Sequence, residues 1–443
     1  MPEPTHRTQI KVKAERAVLA AVRLPGSRYD PSDPFGELRS LAEQAGAVPV
    51  GEIEQLRDRP DPATYMGSGK VTELRDLCER LDAGTIIFDH ELSPAQIGKI
   101  ERQTERKVLD RSELILDIFA SRATTHQARL QVELAQLEYT YPRLRAMWDH
   151  LERVVGGSPT GVGTRGPGEQ QLEIDRRLVQ RRKQRLTREL AAIHTRKRRE
   201  VGARTARHFT VGLVGYTNAG KSTLFNTLTA GGAYADDRLF ATLMTRTRAW
   251  HLGGGLEVML SDTVGFVRDL PHHLVASFRA TLEETLHADL LLIVLDVSSP
   301  GVDLRYETVR RTLDEILSER NTASDRIVLL NKTDLLDDPR EILMWQQRVP
   351  DAIPICALDP ARDGTGEGLD KLAARVRLAA LGPVAERVLT VPLADAKTID
   401  TLEKRCEIVE REYTPSQATI RVRIGARLLD DLIASGARIS VVE

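Results

Sequence analysis

The spacing of apolar positions changes character along the chain, and those changes divide it. Over the first 120 residues or so, short apolar runs (AVLAAVRL, GTIIFD, KVLD) alternate with segments whose apolar residues recur every three or four positions (GELRSLAEQAG, KVTELRDLCERL, SPAQIGKIERQ). That alternation predicts a small α/β domain with parallel strands over residues 1–120. From about Ser112 to Tyr141 the period becomes helical, through ILDIFA and LQVELAQLEY, and Pro142 is expected to interrupt it. The stretch VVGGSPTGVGTRGPGE, 154–169, holds too much glycine and proline for regular structure and predicts a loop. The following QLEIDRRLVQRRKQRLTRELAAIHTRKRREVG has no breaker and predicts a long helix. Residues 121–205 thus read as a helical hairpin with a glycine-rich tip.

From His208 the strand-length runs become fully apolar: FTVGLVG, LEVML, DLLLIVLD, RIVLLN and IPICA, with helical segments such as LVASFRATLEETLHA between them. A doubly wound α/β domain with a mostly buried parallel sheet is predicted for 206–384. The remainder, 385–443, combines strand-like RVLTVPL and ATIRVRI with helix-like TIDTLEKRCEIVE and RLLDDLIASG, a small α+β domain. The expected fold class is therefore multidomain α/β, as a chain of 443 residues requires more than one core.

Composition narrows the classes further. Hydrophobic residues at 41% and charged residues at 29% fit a soluble globular protein, and no apolar run approaches the roughly 20 residues of a membrane span. Nothing resembles a signal peptide or lipid anchor. Cys78, Cys356 and Cys406 lie far apart without metal-ligand spacing, which argues against zinc and for a reduced, cytoplasmic setting. No heptad repeat persists, so a monomer is expected. The formal net charge of -1 conceals a dense basic run, with Arg176, Arg177, Arg181, Arg182, Lys183, Arg185 and Arg188 followed by Arg196, Lys197, Arg198 and Arg199. Such a run is either a solvated helix face or a surface for a polyphosphate such as RNA.

Candidate chemistry begins at GYTNAGKST, residues 215–223, which follows an apolar strand and opens a helix. In that context G-x-x-x-x-G-K-[ST] cradles phosphate. Gly215 and Gly220 let the backbone wrap, so that the amides of Tyr216, Thr217, Asn218, Ala219 and Thr223 belong to one anion-binding loop at a helix N-terminus. Lys221 supplies a charge to the β and γ phosphates, and the Ser222 hydroxyl suits magnesium. In SDTVGFVRDL, 261–270, Asp262 is the candidate to hold magnesium through water and the Gly265 amide to meet the γ-phosphate. Thr242 in LFATLMTRTRAW is the candidate to close over metal and phosphate, with Thr245 and Thr247 as alternatives. The base is chosen by NKTD, 331–334. Asp334 can accept from both the ring NH and the amine of guanine, Lys332 can cover the base, and Asn331 can tie this loop to the phosphate loop. The backbone at Cys356 and Ala357 is placed to meet guanine's carbonyl oxygen. GTP or GDP with Mg2+ is the expected ligand set. Phe266 occupies the position that often orients the attacking water, and a phenyl ring cannot hydrogen-bond a nucleophile.

The motifs GYTNAGKST, FATL, DTVGF and NKTD are shared by many GTPases. DPATYMGSGKV (61–71), ELSPAQIGKIE (91–101) and LILDIFASRA (114–123) accompany them, and LQVELAQLEY (130–139) and GVGTRGPGEQQLEIDRR (161–177) are far more specific. Together they resemble the HflX-type GTPases, a ribosome-associated family, over nearly the whole chain. The resemblance implies GTP hydrolysis, docking on the large ribosomal subunit and its RNA, and separation of stalled ribosomes. It implies that the tip loop bearing Arg165 reaches ribosomal RNA, with Arg176, Arg177, Arg181 and Arg182 as further contact candidates. It also implies a hydrophobic residue at Phe266, and therefore slow hydrolysis unless the ribosome stimulates it. Asn218 is open to two readings, a loop hydrogen bond or a ligand for K+ as in similar GTPases. Two departures stand out: Met244 and Thr245 replace the usual Asp-Pro, and Cys356 replaces the usual serine. GSGK, 67–70, has glycines and a lysine at a helix start, but Val71 stands where a metal-binding hydroxyl would be. An RNA-facing or structural turn is the preferred reading over an ATP site.

Overall fold

The computed structural model describes residues 15–155, 167–205, 208–229, 240, 245–268, 288–318, 325–359, 367–434 and 436–442. The chain forms two compact units. One comprises residues 1–197 with 238–243 and 267–280; the other comprises 198–237, 244–266 and 281–443.

The first unit is built on four parallel strands in the order β2-β1-β3-β4: β1 (Arg16–Arg23), β2 (Val48–Leu56), β3 (Thr85–Phe88) and β4 (Lys107–Asp110). Ala17 to Val22 are fully buried, the unbroken apolar run that a strand covered on both faces demands. Helices α1 (Gly36–Ala45), α2 (Ser68–Arg80), α3 (Pro94–Thr104) and α4 (Arg111–Arg122) alternate with the strands. Local signals fix their ends. Ser93 and Gln96 form a capping box ahead of α3 with Pro94 in its first turn, and Asp110 Oδ1 accepts from Glu113 N (2.9 Å) to start α4. At GSGK, Gly67 N donates to Gln55 Oε1 (2.8 Å) and Lys70 pairs with Glu73 (2.9 Å), the contacts of a structural turn.

The chain leaves β1 for β2 on one side and crosses to β3 on the other, so the strand order diverges between β1 and β3. In open α/β sheets the crevice at the carboxyl ends of two such strands is the usual ligand position. Here it holds a buried ionic cluster. Asp89, directly after β3, accepts from Arg23 at the end of β1 (3.0 Å), from Arg111 at the start of α4 (2.7 Å) and from Arg268 (2.8 and 3.1 Å). Glu37 of α1 pairs with Arg111 and accepts from the Arg268 amide (3.2 Å). Burial pushes the Asp89 carboxyl up, but Arg111, Arg268, His90 and Arg23 outweigh it and hold the group below the usual carboxylate range.

Two long helices follow, α5 (His126–Val155) and α6 (Pro167–Thr205). Contrary to the expected interruption, α5 continues through Pro142. Proline removes one amide donor from a helix, and the turns on either side keep their own bonds. Leu130 and Leu134 pack with Leu186 and Leu190 to join the two helices. Arg182 grips Glu133 with both arms of its guanidinium (2.6 and 2.8 Å), and Lys183 pairs with Glu138 (2.9 Å). Among the described residues, no helix is long and apolar enough to cross a membrane.

On α4, burial first and Glu113 second push the Asp117 carboxyl up to about 7, with Lys107 acting the other way. The folded chain therefore keeps a proton that the unfolded chain releases near 3.8. The associated stability is complete below that value and is lost as the pH rises through about 7. Asp117→Asn is expected to stabilise the protein by about 2 kcal/mol at pH 8 and by much less at pH 5. Thermal unfolding at the two pH values checks this, and equal shifts at both would exclude it.

In the second unit a six-stranded sheet has the order β10-β9-β8-β5-β7-β6, with β5 (Thr210–Gly215), β6 (Arg246–His251), β7 (Glu257–Asp262), β8 (Leu290–Asp296), β9 (Asp325–Asn331) and β10 (Ile353–Pro354). All pairs are parallel except the edge strand β6, which runs antiparallel to β7. Helices α7 (Lys221–Leu228), α8 (Val302–Ser318), α9 (Arg340–Arg348) and α10 (Gly368–Leu381) accompany it. A second, antiparallel sheet has the order β12-β13-β11-β14, from β11 (Val384–Pro392), β12 (Glu407–Tyr413), β13 (Gln417–Gly425) and β14 (Ser440–Val441), with α11 (Ala396–Arg405) and α12 (Ala426–Ala434). The helix expected over TIDTLEKRCEIVE stops at Arg405, and EIVEREY is β12. Its β-branched Ile408 and Val409 suit the pairing with β13.

Candidate nucleotide site

The site is assembled at the carboxyl end of the six-stranded sheet. Gly215 ends β5 so close to β8 that a Cβ would lie 2.3 Å from the Val294 carbonyl oxygen, and only glycine fits. The loop then turns through Asn218 (φ 61°) and Gly220 (φ 92°), both left-handed. Asparagine is among the few residues with a side chain that adopt this conformation readily, which gives Asn218 a conformational reason of its own. Gly220 opens α7. Tyr216 is buried, with the Arg305 guanidinium 5.3 Å from its ring centre, and Ala219 and Thr217 are buried beside it.

Lys221 is 6% exposed, and its ammonium donates to the carbonyls of Gly215 (3.2 Å) and Tyr216 (2.7 Å). Two of its three N–H groups thus fix the charge under the loop before any anion arrives. Burial pushes its pKa down to about 8, and the Asp262 carboxylate works against that shift. Ser222 donates to Asp262 Oδ2 (2.7 Å). A hydroxyl and a carboxylate side by side are hard oxygen donors of the kind magnesium takes. No group of three or more His, Cys, Asp or Glu forms a metal cluster among the described residues. A metal here would draw its other oxygens from phosphate and water, the habit of magnesium rather than of calcium or zinc.

The segment after Asp262 folds back on the phosphate loop. Thr263 Oγ1 donates to the Leu213 carbonyl (2.6 Å). Phe266 N donates to Gly215 O (3.0 Å) and Thr217 N donates to Phe266 O (2.8 Å), a backbone seam between switch and loop. A Cβ on Gly265 would stand 2.8 Å from Thr217 Cα and 3.0 Å from Lys221 Nζ. The Phe266 ring is 2% exposed, packed inside rather than facing a reactant.

On the base side, Asn331 ends β9. Its Nδ2 donates to Ala219 O (2.8 Å) and its Oδ1 accepts from Ala357 N (3.0 Å), so one side chain ties three loops. Lys332 is left-handed (φ 64°), and its ammonium pairs with Asp296 at the end of β8 (2.7 Å). Thr333 Oγ1 donates to Ile355 O (3.1 Å), and Cys356 Sγ donates to Asp334 Oδ1 (3.2 Å). The thiol thus lies where it steadies one oxygen of the carboxylate.

Sequence reading did not pick out Thr217 as the partner of Phe266, nor Asp296 and Arg305. The acidic end of the apolar run DLLLIVLD was the available signal for Asp296. Thr223 sits in the first turn of α7. Thr242 and Arg165 lie outside the described residues. Thr247 is in β6, with its hydroxyl on Ser261 Oγ (2.9 Å), and Thr245 immediately precedes that strand. Arg176 belongs to the helical backbone of α6, Arg177 and Arg181 are exposed, and Arg182 is engaged with Glu133.

Three family models match the chain: "GTP-binding GTPase N-terminal" over residues 32–120, "GTP-binding GTPase Middle Region" over 122–204, and "50S ribosome-binding GTPase" over 210–332. A GTPase HflX of Lacrimispora saccharolytica is 39% identical over 433 residues, covering 97% of this chain and 98% of its own. That of Escherichia coli K12 is 39% identical over 399 residues, covering 89% and 90%. A solved GTP-binding protein of Sulfolobus solfataricus in complex with GDP aligns at 25% identity and a TM-score of 0.42, over 82% of this chain and 99% of that one. With relatives of this identity aligned almost from end to end, the chain belongs to the HflX family of GTPases.

Proposed function

We propose that this GTPase associates with the large ribosomal subunit in its GTP state and separates stalled or idle ribosomes, hydrolysis then timing its release. The observation that carries this reading is the match of residues 210–332 to a family described as 50S ribosome-binding GTPases. The exposed Arg177 and Arg181 of α6 support it as a surface for RNA phosphate, and Arg165, Arg176 and Arg182 complete the proposed contacts. The protein acts as a monomer in the cytoplasm in this reading.

The chain binds guanine nucleotide and hydrolyses GTP. In the proposed assignment, Lys221 offsets charge on the β and γ phosphates, and the loop amides from Tyr216 to Thr223 hold their oxygens. Asp334 accepts from the two guanine donors, Lys332 covers the base, and the Cys356–Ala357 backbone meets its carbonyl. Ser222, Asp262 and Thr242 would hold magnesium, which supplies further charge neutralisation on the phosphates. Gly265 offers its amide to the γ-phosphate. Asn218 is the residue in reach of a potassium ion at the same phosphates, and exchanging potassium for sodium reads that assignment out.

Because the Phe266 ring is buried and apolar, water must be oriented by another group, and the ribosome is the proposed source. Steady-state GTP turnover with and without large subunits is expected to show stimulation of at least about 10³-fold, the scale on which a partner completes such a site. Phe266→Ala is expected to retain that stimulation. Nucleotide binding without stimulation would overturn the reading in favour of an assembly or storage factor. Loss of stimulation in Phe266→Ala, with binding intact, would return the ring to the mechanism.

A further inference from the structure

The two residues of NKTD assigned to the base are each held by a side chain from outside that loop. Asp334 receives the Cys356 thiol on Oδ1 (3.2 Å). Lys332 reaches instead to the last residue of β8, where its ammonium pairs with Asp296 Oδ2 (2.7 Å). Asp296 lies opposite Asn331 in the parallel register of β8 and β9, so the pair closes across the carboxyl ends of two neighbouring strands. The carboxylate is itself aimed. Its other oxygen accepts from both the amide (3.1 Å) and the hydroxyl (2.6 Å) of Ser298. The main chain is tied along the same line, since Val297 N donates to Asn331 O (3.1 Å), immediately ahead of Lys332. Lys332 itself takes a left-handed turn (φ 64°), which Leu335 N closes by donating to the Lys332 carbonyl (3.1 Å). Backbone and ammonium of this one lysine are both held, and its methylene stem runs between two fixed points.

We propose that Asp296 is a positioning residue for nucleotide binding, which holds the Lys332 stem as a preformed cover for the face of the base. This rests on the assignment of Lys332 to the base. A lysine with a free ammonium samples many rotamers and keeps its charge in water. Ordering such a stem at the moment of binding subtracts from affinity. With the ammonium tied to Asp296, the ordering is complete before nucleotide arrives. The side chains of Lys332 and Asp296 are 26% and 11% exposed, so the pair adds little to the stability of the fold. Its effect falls on the ligand instead. A methylene stem meets the flat face of the ring, which is alike from one purine to another, whereas Asp334 reads the donors on the edge. Asp296 therefore sets how tightly a purine nucleotide is held and leaves the choice of guanine to Asp334.

The test is equilibrium titration of the full-length protein with GDP and with inosine diphosphate, which lacks the amine of guanine and keeps its ring face. Asp296→Asn is expected to weaken both by about five- to twentyfold and to leave their ratio within about twofold. Lys332→Met keeps an unbranched apolar stem and removes the ammonium. In that background, adding Asp296→Asn is expected to cost less than a further factor of about two. A merely structural aspartate would weaken binding as much with the Lys332 ammonium as without it. A full further loss in the double variant would therefore overturn the proposal, as would unchanged affinity in Asp296→Asn or a GDP to inosine diphosphate ratio that moves with it. Failure of the underlying assignment shows separately, because Lys332→Ala, which removes the stem itself, would then bind both diphosphates as the parent does.

Discussion

Asp334→Asn is expected to lower the affinity for GTP and GDP by about 10² to 10⁴-fold and to admit xanthosine nucleotides in their place. Guanine presents two donors to this position, a ring NH and an amine. A carboxylate accepts both, and each such charge-assisted bond contributes about 1.5 to 3 kcal/mol. The asparagine amide turns one acceptor into a donor that faces a donor. Xanthine carries a carbonyl where guanine has its amine, which restores the match. Competition titrations with GDP and xanthosine diphosphate read both halves of the expectation. The outcome that would remove Asp334 from base selection is an unchanged preference for guanine. Cys356 adds a refinement, because its thiol donates to Asp334 Oδ1 (3.2 Å). Asparagine can turn its own oxygen to that thiol, so the loss reports the base contact rather than collapse of the loop.

Gly220→Ala is expected to reduce binding of both nucleotides by more than about 100-fold, through two effects of one methyl group. An L-residue at φ 92° is strained by about 1–2 kcal/mol. The new Cβ would also lie 2.2 Å from Asn331 Nδ2. Asn331 must then leave Ala219 O and Ala357 N, and buried groups left without partners cost about 1–3 kcal/mol each. The phosphate loop and the base loop lose their common brace. If the effect runs through Asn331, the double variant Gly220→Ala with Asn331→Ala is little worse than Gly220→Ala alone. Additive losses would show that the two residues act separately.

What could be read in the sequence was whatever depends on neighbours in the chain. GYTNAGKST places loop, lysine and hydroxyl within nine residues, and the buried run FTVGLVG before it marks a parallel strand. The parallel N-terminal sheet and the doubly wound sheet were legible for the same reason. Strand β6 was not, because in RTRAWH only Trp250 is buried and the strand lies at an edge, where its alternation of apolar and polar positions is weak. β12 reads as helix because LEKRCEIVE keeps a helical spacing, and only pairing with β13 settles it as a strand. The cluster around Asp89 was beyond reach altogether. Arg268 is separated from Asp89 by 179 positions, and an arginine beside an aspartate in VRDL reads as an ordinary solvated pair. Nor does any local pattern announce that the Phe266 backbone closes on Thr217, since a seam between main chains leaves no mark on side-chain type.

Helix α5 runs for 30 residues, about 45 Å at the usual rise of 1.5 Å per residue. Its first turns are held by Leu130 and Leu134 against Leu186 and Leu190, and Tyr139 donates to Asp110 Oδ1 (2.7 Å) at the cap of α4. Among the described side chains, these contacts lie in the N-terminal half of the helix. A tilt of about 5° at the packed base carries the far end of a rod that long through about 4 Å, more than the width of a hydrogen bond. A displacement too small to disturb a single core contact is thereby enlarged to the scale on which a distant surface is gripped or let go.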